Sequence, residues 1–248
     1  LIAIYRDVKL QAIQELNSRQ MVHARQASQG IQNHMEYIIS TLDLLARLPV
    51  VIAMDADGMR IVSEYQAIHA DEVKGVTRVD ARGRIVYTVP QAGDAIGRDI
   101  SYQEHIREIM KTRNAVISDV FMAVQGFRTI AVHVPVNRNG VFDGTLAFLL
   151  SFDRIAQKHI ENIRIGESGY AWVISQKGFE ISCPVPGHVG KNVYDTSREY
   201  PDIIAMANEM LKGREGITAY RYGRDRKAKP QSVLKHAVYM PIRIGSTF

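Results

Sequence analysis

The stretch that decides the fold is Val76-Thr-Arg-Val-Asp-Ala-Arg-Gly-Arg-Ile-Val-Tyr-Thr-Val-Pro90, in which two apolar-rich runs flank a polar turn at Gly83. The same order returns downstream as Tyr170-Ala-Trp-Val-Ile-Ser-Gln-Lys-Gly-Phe-Glu-Ile-Ser-Cys-Pro184, with its turn at Gly178. Each stretch has the pattern of a β-hairpin. The recurrence predicts two similar modules in tandem.

The segments after each hairpin also correspond. Gly97 of the first module is equivalent to Gly190 of the second, and Pro135, predicted to end a strand, is equivalent to Pro241. Ser101 is the predicted N-cap of the first-module helix, with Glu104 at the capping-box position. The remaining elements are predicted at 101–112 (helix) and 115–121, 127–136 and 144–152 (strands) in the first module, and at 202–212 (helix), 216–222 and 234–242 (strands) in the second.

A long helix is predicted ahead of both modules, from Tyr5 to Leu48, where no proline occurs and apolar residues recur at helical spacing. About forty residues at 1.5 Å each would make it about 60 Å long, which suits a stalk or a coiled-coil partner. Pro49 should end it, a short helix should cover 60–70, and a connecting helix should cover 152–163. The periodic apolar positions are Ile31, Met35, Ile38, Ile39, Leu42, Leu45 and Ala46.

Composition restricts the possible functions. The 248 residues are 46% hydrophobic and 23% charged, which is typical of one or two globular domains. The net charge of +5 is scattered, and the basic cluster at 221–229 is interpreted as a solvated loop, so we expect no nucleic acid partner. No run reaches the roughly 18 apolar residues that span a membrane. The abrupt start at Leu1 suggests a piece excised from a longer protein.

Catalytic and metal-binding signatures are absent from the sequence. There is no nucleophile elbow, no phosphate-binding loop and no H-E-x-x-H pair, so an enzyme is not expected, although a hydrolase would be possible if distant residues met in the fold. The eight histidines are dispersed, and Cys183 is interpreted as a small core residue. We therefore expect neither a metal nor a cofactor.

A small-molecule pocket in the first module is the favoured interpretation, because a curved sheet crossed by a helix leaves a concavity. Each candidate also has an ordinary structural interpretation, as a core aromatic, a satisfied core histidine, a turn cap or an exposed arginine. In the second module Tyr170, Tyr220 and Tyr239 could line a smaller cavity. The first-module candidates are Tyr102, His105, Asp119, Phe121, Arg128 and His133.

The pattern resembles the double Cache domain, a tandem of PAS-like modules behind a long N-terminal helix. The resemblance rests on Gly97-Arg-Asp-Ile-Ser101, Ala115-Val-Ile-Ser-Asp-Val-Phe121 and Val132-His-Val-Pro135. It implies an α+β fold in which each module is an antiparallel sheet flanked by helices. The implied parts are a stalk helix at 1–48, a membrane-distal ligand-binding module at 49–152, a connecting helix at 153–163 and a membrane-proximal module at 164–248.

The resemblance further implies a periplasmic or extracellular sensor, placed between two transmembrane helices of a histidine kinase, a chemoreceptor or a cyclic-dinucleotide enzyme. It also implies a homodimer formed through the long helix. Amino-acid-binding members have an Arg where Gln103 stands and an acidic residue near Ser151, so the expected ligand is a carboxylate or another small polar metabolite. Ser151 joins the candidate site on this basis. The leading expectation is a sensor histidine kinase whose long helix transmits a small displacement across the membrane. The alternatives are a chemoreceptor domain, or an interaction module with a vestigial pocket.

Overall fold

The computed structural model describes residues 2–160, 163, 169–223 and 233–244. The chain folds as two compact units. The six-stranded unit comprises His34–Ile155, and the two-hairpin unit comprises Leu1–Asn33 together with Ala156–Phe248. Most of the basic segment 221–229 and the end of the terminal run 243–248 lie outside the described residues.

The first helix, α1 (Ile2–Ala46), confirms the predicted long helix. Of its periodic apolar residues, Ile31, Met35, Ile38 and Leu42 are almost fully buried. Pro49 does not end α1 directly; it stands at the first turn of α2 (Pro49–Ala53), where its missing N–H costs nothing. Among the described helices, none is both long enough and apolar enough to cross a membrane.

In the six-stranded unit, α3 (Ala56–Ile68) precedes the first strand, and α4 (Glu104–Thr112) lies between the second and third strands along the chain. Asp55 caps α3 by accepting a hydrogen bond from the backbone N–H of Gly58 at 2.9 Å. The strands are β1 (Val73–Val79), β2 (Ile85–Val89), β3 (Val116–Ile117), β4 (Phe121–Met122), β5 (Arg128–Arg138) and β6 (Val141–Leu150).

The sheet is antiparallel in the order β2-β1-β6-β5-β3, with β4 also paired to β5. Asn139 and Gly140 form the two-residue turn between β5 and β6, and both have positive φ, as the favoured hairpin turn requires. One face of the sheet packs on α3, where the Tyr65 ring stacks on Phe148 at 4.9 Å. The other face packs on α4 through Val79 and Ile106.

Three details of the sequence prediction for this unit are wrong. The helix begins at Glu104, and its N-cap is Gln103 without a side-chain hydrogen bond, because residues 100–103 form a separate turn in which the Gln103 N–H donates to the Ile100 carbonyl oxygen at 3.0 Å. The predicted strand 115–121 is broken into β3 and β4. Pro135 does not end β5, because a register shift next to it lets the strand continue past a residue that cannot donate a ladder hydrogen bond.

The two-hairpin unit pairs β7 (Val173–Ile174) with β8 (Glu180–Ser182) and β9 (Gly216–Tyr222) with β10 (Val233–Tyr239). Its core gathers around Met206 of α7 (Pro201–Met210) and Tyr220 of β9. The Ser28 hydroxyl on α1 donates to the Pro241 carbonyl oxygen at 2.6 Å and so holds the segment after β10. The helices of this unit besides α1 are α5 (Phe152–Ile160), which begins in the six-stranded unit, α6 (Val193–Thr196) and α7 (Pro201–Met210).

Candidate functional site

A row of side chains crosses the α4-facing side of the six-stranded sheet. The strand register places Thr88 opposite Thr77, Thr77 opposite Ala147, Ala147 opposite His133, and His133 opposite Val116. Directly opposed residues of an antiparallel pair share a face, so all five project the same way. Val79, two residues beyond Thr77, packs against α4 and identifies that face. Three polar side chains are therefore aligned beneath α4, with small Ala147 between them.

The two threonines form a hydrogen-bonded pair with a glutamine from the loop after β4. Thr77 Oγ1 lies 3.1 Å from Thr88 Oγ1, and Gln125 Nε2 donates to these two oxygens at 3.2 and 3.1 Å. Both threonines are at most 3% exposed. Buried hydroxyl and amide groups are costly without partners, and here they satisfy one another. The result is a compact group of donors and acceptors on an otherwise apolar sheet.

An aromatic group occupies the other end of the row. The His105 ring on α4 lies 5.2 Å from the His133 ring and 4.8 Å from the Phe121 ring, centroid to centroid. His133 Nδ1 lies 3.0 Å from Thr145 Oγ1. Complete burial, and to a smaller extent the neighbouring His105, lower the pKa of His133 well below its ordinary value. His133 is thus a neutral imidazole at physiological pH, able to donate from one ring nitrogen and accept at the other.

Two apolar clusters flank these polar groups on the same side of the sheet. One cluster contains Val79, Ile85, Ile100 and Ile106, and the other contains Ala123, Ala131 and Leu149 with Phe121 and Phe127 packed against it. We call the polar groups between them the polar band. An apolar enclosure with a few oriented polar groups is the usual composition of a small-molecule site. The polar band consists of Thr77, Thr88, His105, Gln125, His133 and Thr145.

The structure brings together three of the seven residues predicted from the sequence, namely His105, Phe121 and His133. Tyr102 precedes α4 and is 67% exposed, so it does not share a buried helical face with His105. Arg128 is exposed, and strand alternation directs it to the face opposite His133.

Asp119 and Ser151 occupy connecting segments at the borders of the strands. Asp119 is half-buried in the segment between β3 and β4, where its carbonyl oxygen accepts from Ser118 Oγ at 2.8 Å. Ser151 precedes α5, and its backbone N–H donates to the Glu72 carbonyl oxygen at 2.8 Å. A ligand-binding role for all seven residues stays a prediction.

Sequence reasoning missed four members of the polar band: Thr77, Thr88, Gln125 and Thr145. Threonine is common in strands for steric reasons, so Thr77 and Thr88 attract no notice in the hairpin pattern. A signal was present for Thr77, which lies two residues from the buried apolar Val79, but not for Thr88, which lies two residues from exposed Val86. Only the register shows that they are adjacent to each other and in line with His133.

A cavity of about 320 Å³ lies within the two-hairpin unit. Tyr170, Tyr220 and Tyr239 line it, as the sequence predicted, together with Trp172. Burial raises the pKa of the Tyr170 and Tyr220 phenols, so both are neutral donors at physiological pH. The Lys235 ammonium lies 4.8 Å from the Tyr170 ring centroid, within cation–π range.

The described part of the chain thus combines an antiparallel sheet, helices on both of its faces and a polar band under one of the helices. The chain matches the family model of the Cache domain, designated dCache_1, over residues 4–242. It therefore belongs to the Cache domain family, and the α+β double Cache fold expected from the sequence is confirmed. No curated protein sequence matches the chain.

Solved structures share this fold at low sequence identity. The ligand-binding domain of the Pseudomonas aeruginosa amino acid chemoreceptor PctB, in complex with L-Arg, is 14% identical with a TM-score of 0.65, and the match covers 92% of this chain and 96% of that one. The extracellular domain of mmHK1S-Z2, assigned as a histidine kinase, is 15% identical with a TM-score of 0.64, covering 91% and 92%.

A third similar structure is an extracellular ligand binding receptor from Desulfohalobium retbaense, which is 20% identical with a TM-score of 0.60. The match covers 89% of this chain but only 40% of the receptor, so the present chain spans less than half the length of that protein. At these identities the similarity establishes the fold that the proteins share.

Proposed function

We propose that this chain is the extracytoplasmic sensor domain of a membrane-bound signalling receptor, and that the domain binds a ligand without transforming it. Membership of the Cache family supports this, as does a fold shared with chemoreceptor and histidine kinase extracellular domains. We assign the parent protein first to the sensor histidine kinases and, as the alternative, to the chemoreceptors. On this proposal the domain lies in the periplasm or outside the cell.

The observation that carries the proposal is the polar band between two apolar clusters. A sheet face that only needed to pack against α4 would be more stable with apolar residues along the row. Instead Thr77, Thr88 and His133 are aligned across three strands. Ala147 lies between them in the row and has the smallest side chain of any residue except glycine. Such a row can offer hydrogen bonds to a ligand whose remaining surface is covered by the apolar clusters.

The ligand class follows from the groups in the polar band. Gln125 donates to both threonine oxygens and one threonine hydroxyl lies against the other, so the donors left for a ligand are the second hydroxyl and a ring N–H of neutral His133. Oriented neutral donors suit a carboxylate group. We therefore propose a small polar metabolite bearing a carboxylate, with amino acids as the second class to test, because the PctB domain is bound to L-Arg.

A thermal-shift and calorimetry panel of carboxylates, amino acids and amines tests the proposal. A ligand at about 100 times its dissociation constant should stabilise the chain by about 2.7 kcal/mol. Thr77→Val keeps the side-chain shape and removes one hydroxyl of the polar band, so it should weaken a hit at least about tenfold, the loss of one hydrogen bond of about 1.4 kcal/mol.

Thr129→Val is the matched control, because the Thr129 hydroxyl is equally buried but donates to the Leu150 carbonyl oxygen at 3.0 Å. It should leave ligand affinity unchanged. Equal effects of the two substitutions would place the ligand elsewhere. If no compound in the panel shifts the unfolding temperature, the small-molecule proposal is overturned in favour of an interaction module.

Signal transmission is proposed to run through α1. A ligand changes the receptor only through its different affinities for two arrangements of the helices, and α1 is the longest element available to carry such a change. Tyr5 and Val8, one turn apart, are 71% and 59% exposed, which supports a homodimer formed through this helix. Val8→Glu should lower the molar mass measured by light scattering, whereas Lys9→Glu on the neighbouring face should not.

A further inference from the structure

A cluster of three different metal-ligating side chains lies in the two-hairpin unit, far along the sequence from the polar band. Glu180 is in β8, Cys183 follows the strand, and His188 follows five residues later. One carboxylate oxygen, the Cys183 Sγ and one His188 ring nitrogen all lie within 4.8 Å of one another. Glu180 is only 2% exposed, while Cys183 and His188 are half-buried and can be reached from solvent.

The spacing of the donor atoms is close to that of a tetrahedral zinc site. Zinc bonds of about 2.0–2.3 Å to nitrogen, oxygen and sulfur place neighbouring donor atoms about 3.4–3.6 Å apart. His188 Nδ1 already lies 3.1 Å from both Glu180 carboxylate oxygens. The donors lie at most 4.8 Å apart, which is within about 1.4 Å of this spacing.

The backbone around the cluster is held from several directions. The Glu180 N–H donates to the Lys191 carbonyl oxygen at 2.8 Å, and the Glu180 carbonyl oxygen accepts from the Gly190 N–H at 2.7 Å. The Lys191 N–H in turn donates to the His188 carbonyl oxygen at 2.9 Å. Two prolines, Pro184 and Pro186, restrict the segment between Cys183 and His188. Positioned donors of this kind lower the entropy cost of binding an ion.

An outer partner also orients the carboxylate, because Thr196 Oγ1 donates a hydrogen bond to Glu180 Oε1. Hydrogen bonds of this kind to ligating groups are a regular part of metal sites. An ion pair of Glu180 with His188 would account for two members of the cluster. It would not require a thiol at the same short range, and that third donor is what points to a metal.

We propose that Glu180, Cys183 and His188 bind one Zn²⁺ ion, with the fourth coordination position open to water or another small donor. The donor set selects zinc, because a thiolate disfavours Mg²⁺ and Ca²⁺ while a mixed oxygen, nitrogen and sulfur set suits a borderline ion. The ion links β8 to the segment that leads into α6. The sequence alone did not predict it, because only one cysteine is present and the histidines are dispersed.

Cobalt substitution tests the proposal directly on the complete chain after treatment with a chelator. Co²⁺ should bind with one ion per chain and give the thiolate-to-cobalt charge-transfer band together with intense tetrahedral d–d bands. Zn²⁺ should abolish both. Cys183→Ser should remove the charge-transfer band. Glu180→Gln keeps an acceptor for the Thr196 hydroxyl but loses the carboxylate, so it should lower the affinity for Co²⁺ by more than the 10–100-fold that is typical of losing an outer partner.

His188→Gln should behave as Glu180→Gln does, whereas His23→Gln, on an exposed position of α1, is the matched control and should bind Co²⁺ as the unaltered chain does. Circular dichroism of each variant confirms that it is folded. Absence of the charge-transfer band in the unaltered chain, or its survival in Cys183→Ser, overturns the proposal. The result is independent of the ligand panel, because the polar band contains none of these residues.

Discussion

The pH dependence of stability should depend on His133, and replacing it with Asn isolates that contribution. Burial, and then the nearby His105, lower the pKa of His133 in the folded chain, whereas the unfolded chain has the ordinary value of about 6.5. Between these two pKa values the unfolded state binds more protons than the folded state. Stability contributed by His133 is therefore fully present above about pH 6.5 and is lost as the pH falls below it.

The expected change in the free energy of unfolding follows because His133 is protonated in the unfolded chain while it stays neutral in the folded chain. From about pH 7.5 to about pH 5.5 the unfolded imidazole changes from about one tenth to about nine tenths protonated. This shifts the unfolding equilibrium about tenfold, which is about 1.4 kcal/mol. His133→Asn abolishes the titration, and its amide can reach Thr145, which lies 3.0 Å from His133 Nδ1.

Urea unfolding followed by circular dichroism at these two pH values measures the effect. Between about pH 7.5 and about pH 5.5, the free energy of unfolding should fall by about 1.4 kcal/mol more in the unaltered chain than in His133→Asn. This holds whatever the absolute stability of the variant. His23→Asn, at an exposed position of α1, should keep the full loss. Equal losses in the unaltered chain and His133→Asn would show that His133 titrates normally in the fold, and would refute the reasoning.

Four further substitutions test the packing of the six-stranded unit by urea unfolding. Asp143→Ala should cost about 2–4 kcal/mol, because it leaves the Arg78 guanidinium, only 3% exposed, without the carboxylate 2.9 Å away; a loss under about 1 kcal/mol would contradict this. Gly144→Ala should cost at least about 3 kcal/mol, since φ is +108° and a Cβ would lie 2.0 Å from the Val79 carbonyl oxygen. Gly140→Ala, also at positive φ but with open space around it, should cost only about 1 kcal/mol, so similar losses at the two glycines would exclude the close contact as the cause. Asp55→Ala should cost about 1 kcal/mol by removing the N-cap of α3, and no loss would show that the cap is replaced by water.

Most helices and strands could be predicted because their signals are local. Apolar spacing located α1, and the polar turns at Gly83 and Gly178 located the hairpins. Element ends were less accurate where a neighbouring turn or a register shift competes with the local preference. Residues 100–103 form a separate turn, so α4 starts at Glu104, and a register shift next to Pro135 lets β5 continue.

The candidate site could be predicted only in part, because its members come from distant parts of the chain. His105, Phe121 and His133 were found because polar and aromatic side chains are conspicuous in a helix or strand pattern. Thr77 and Thr88 were missed, since threonine is ordinary in a strand. Arg128 was also among the predicted residues, yet strand alternation turns it to the opposite face from His133.

The sequence by itself determined a long helix, two tandem hairpin-based modules and the Cache family, because periodicity and turn chemistry act over a few residues. The tertiary structure decided which side chains meet. Register pairs Thr88 with Thr77 and aligns both with His133 across Ala147, and a one-residue shift would turn each strand's row to the other face. Similarly, only the folded loop after β8 brings Cys183 and His188 to the buried carboxylate of Glu180.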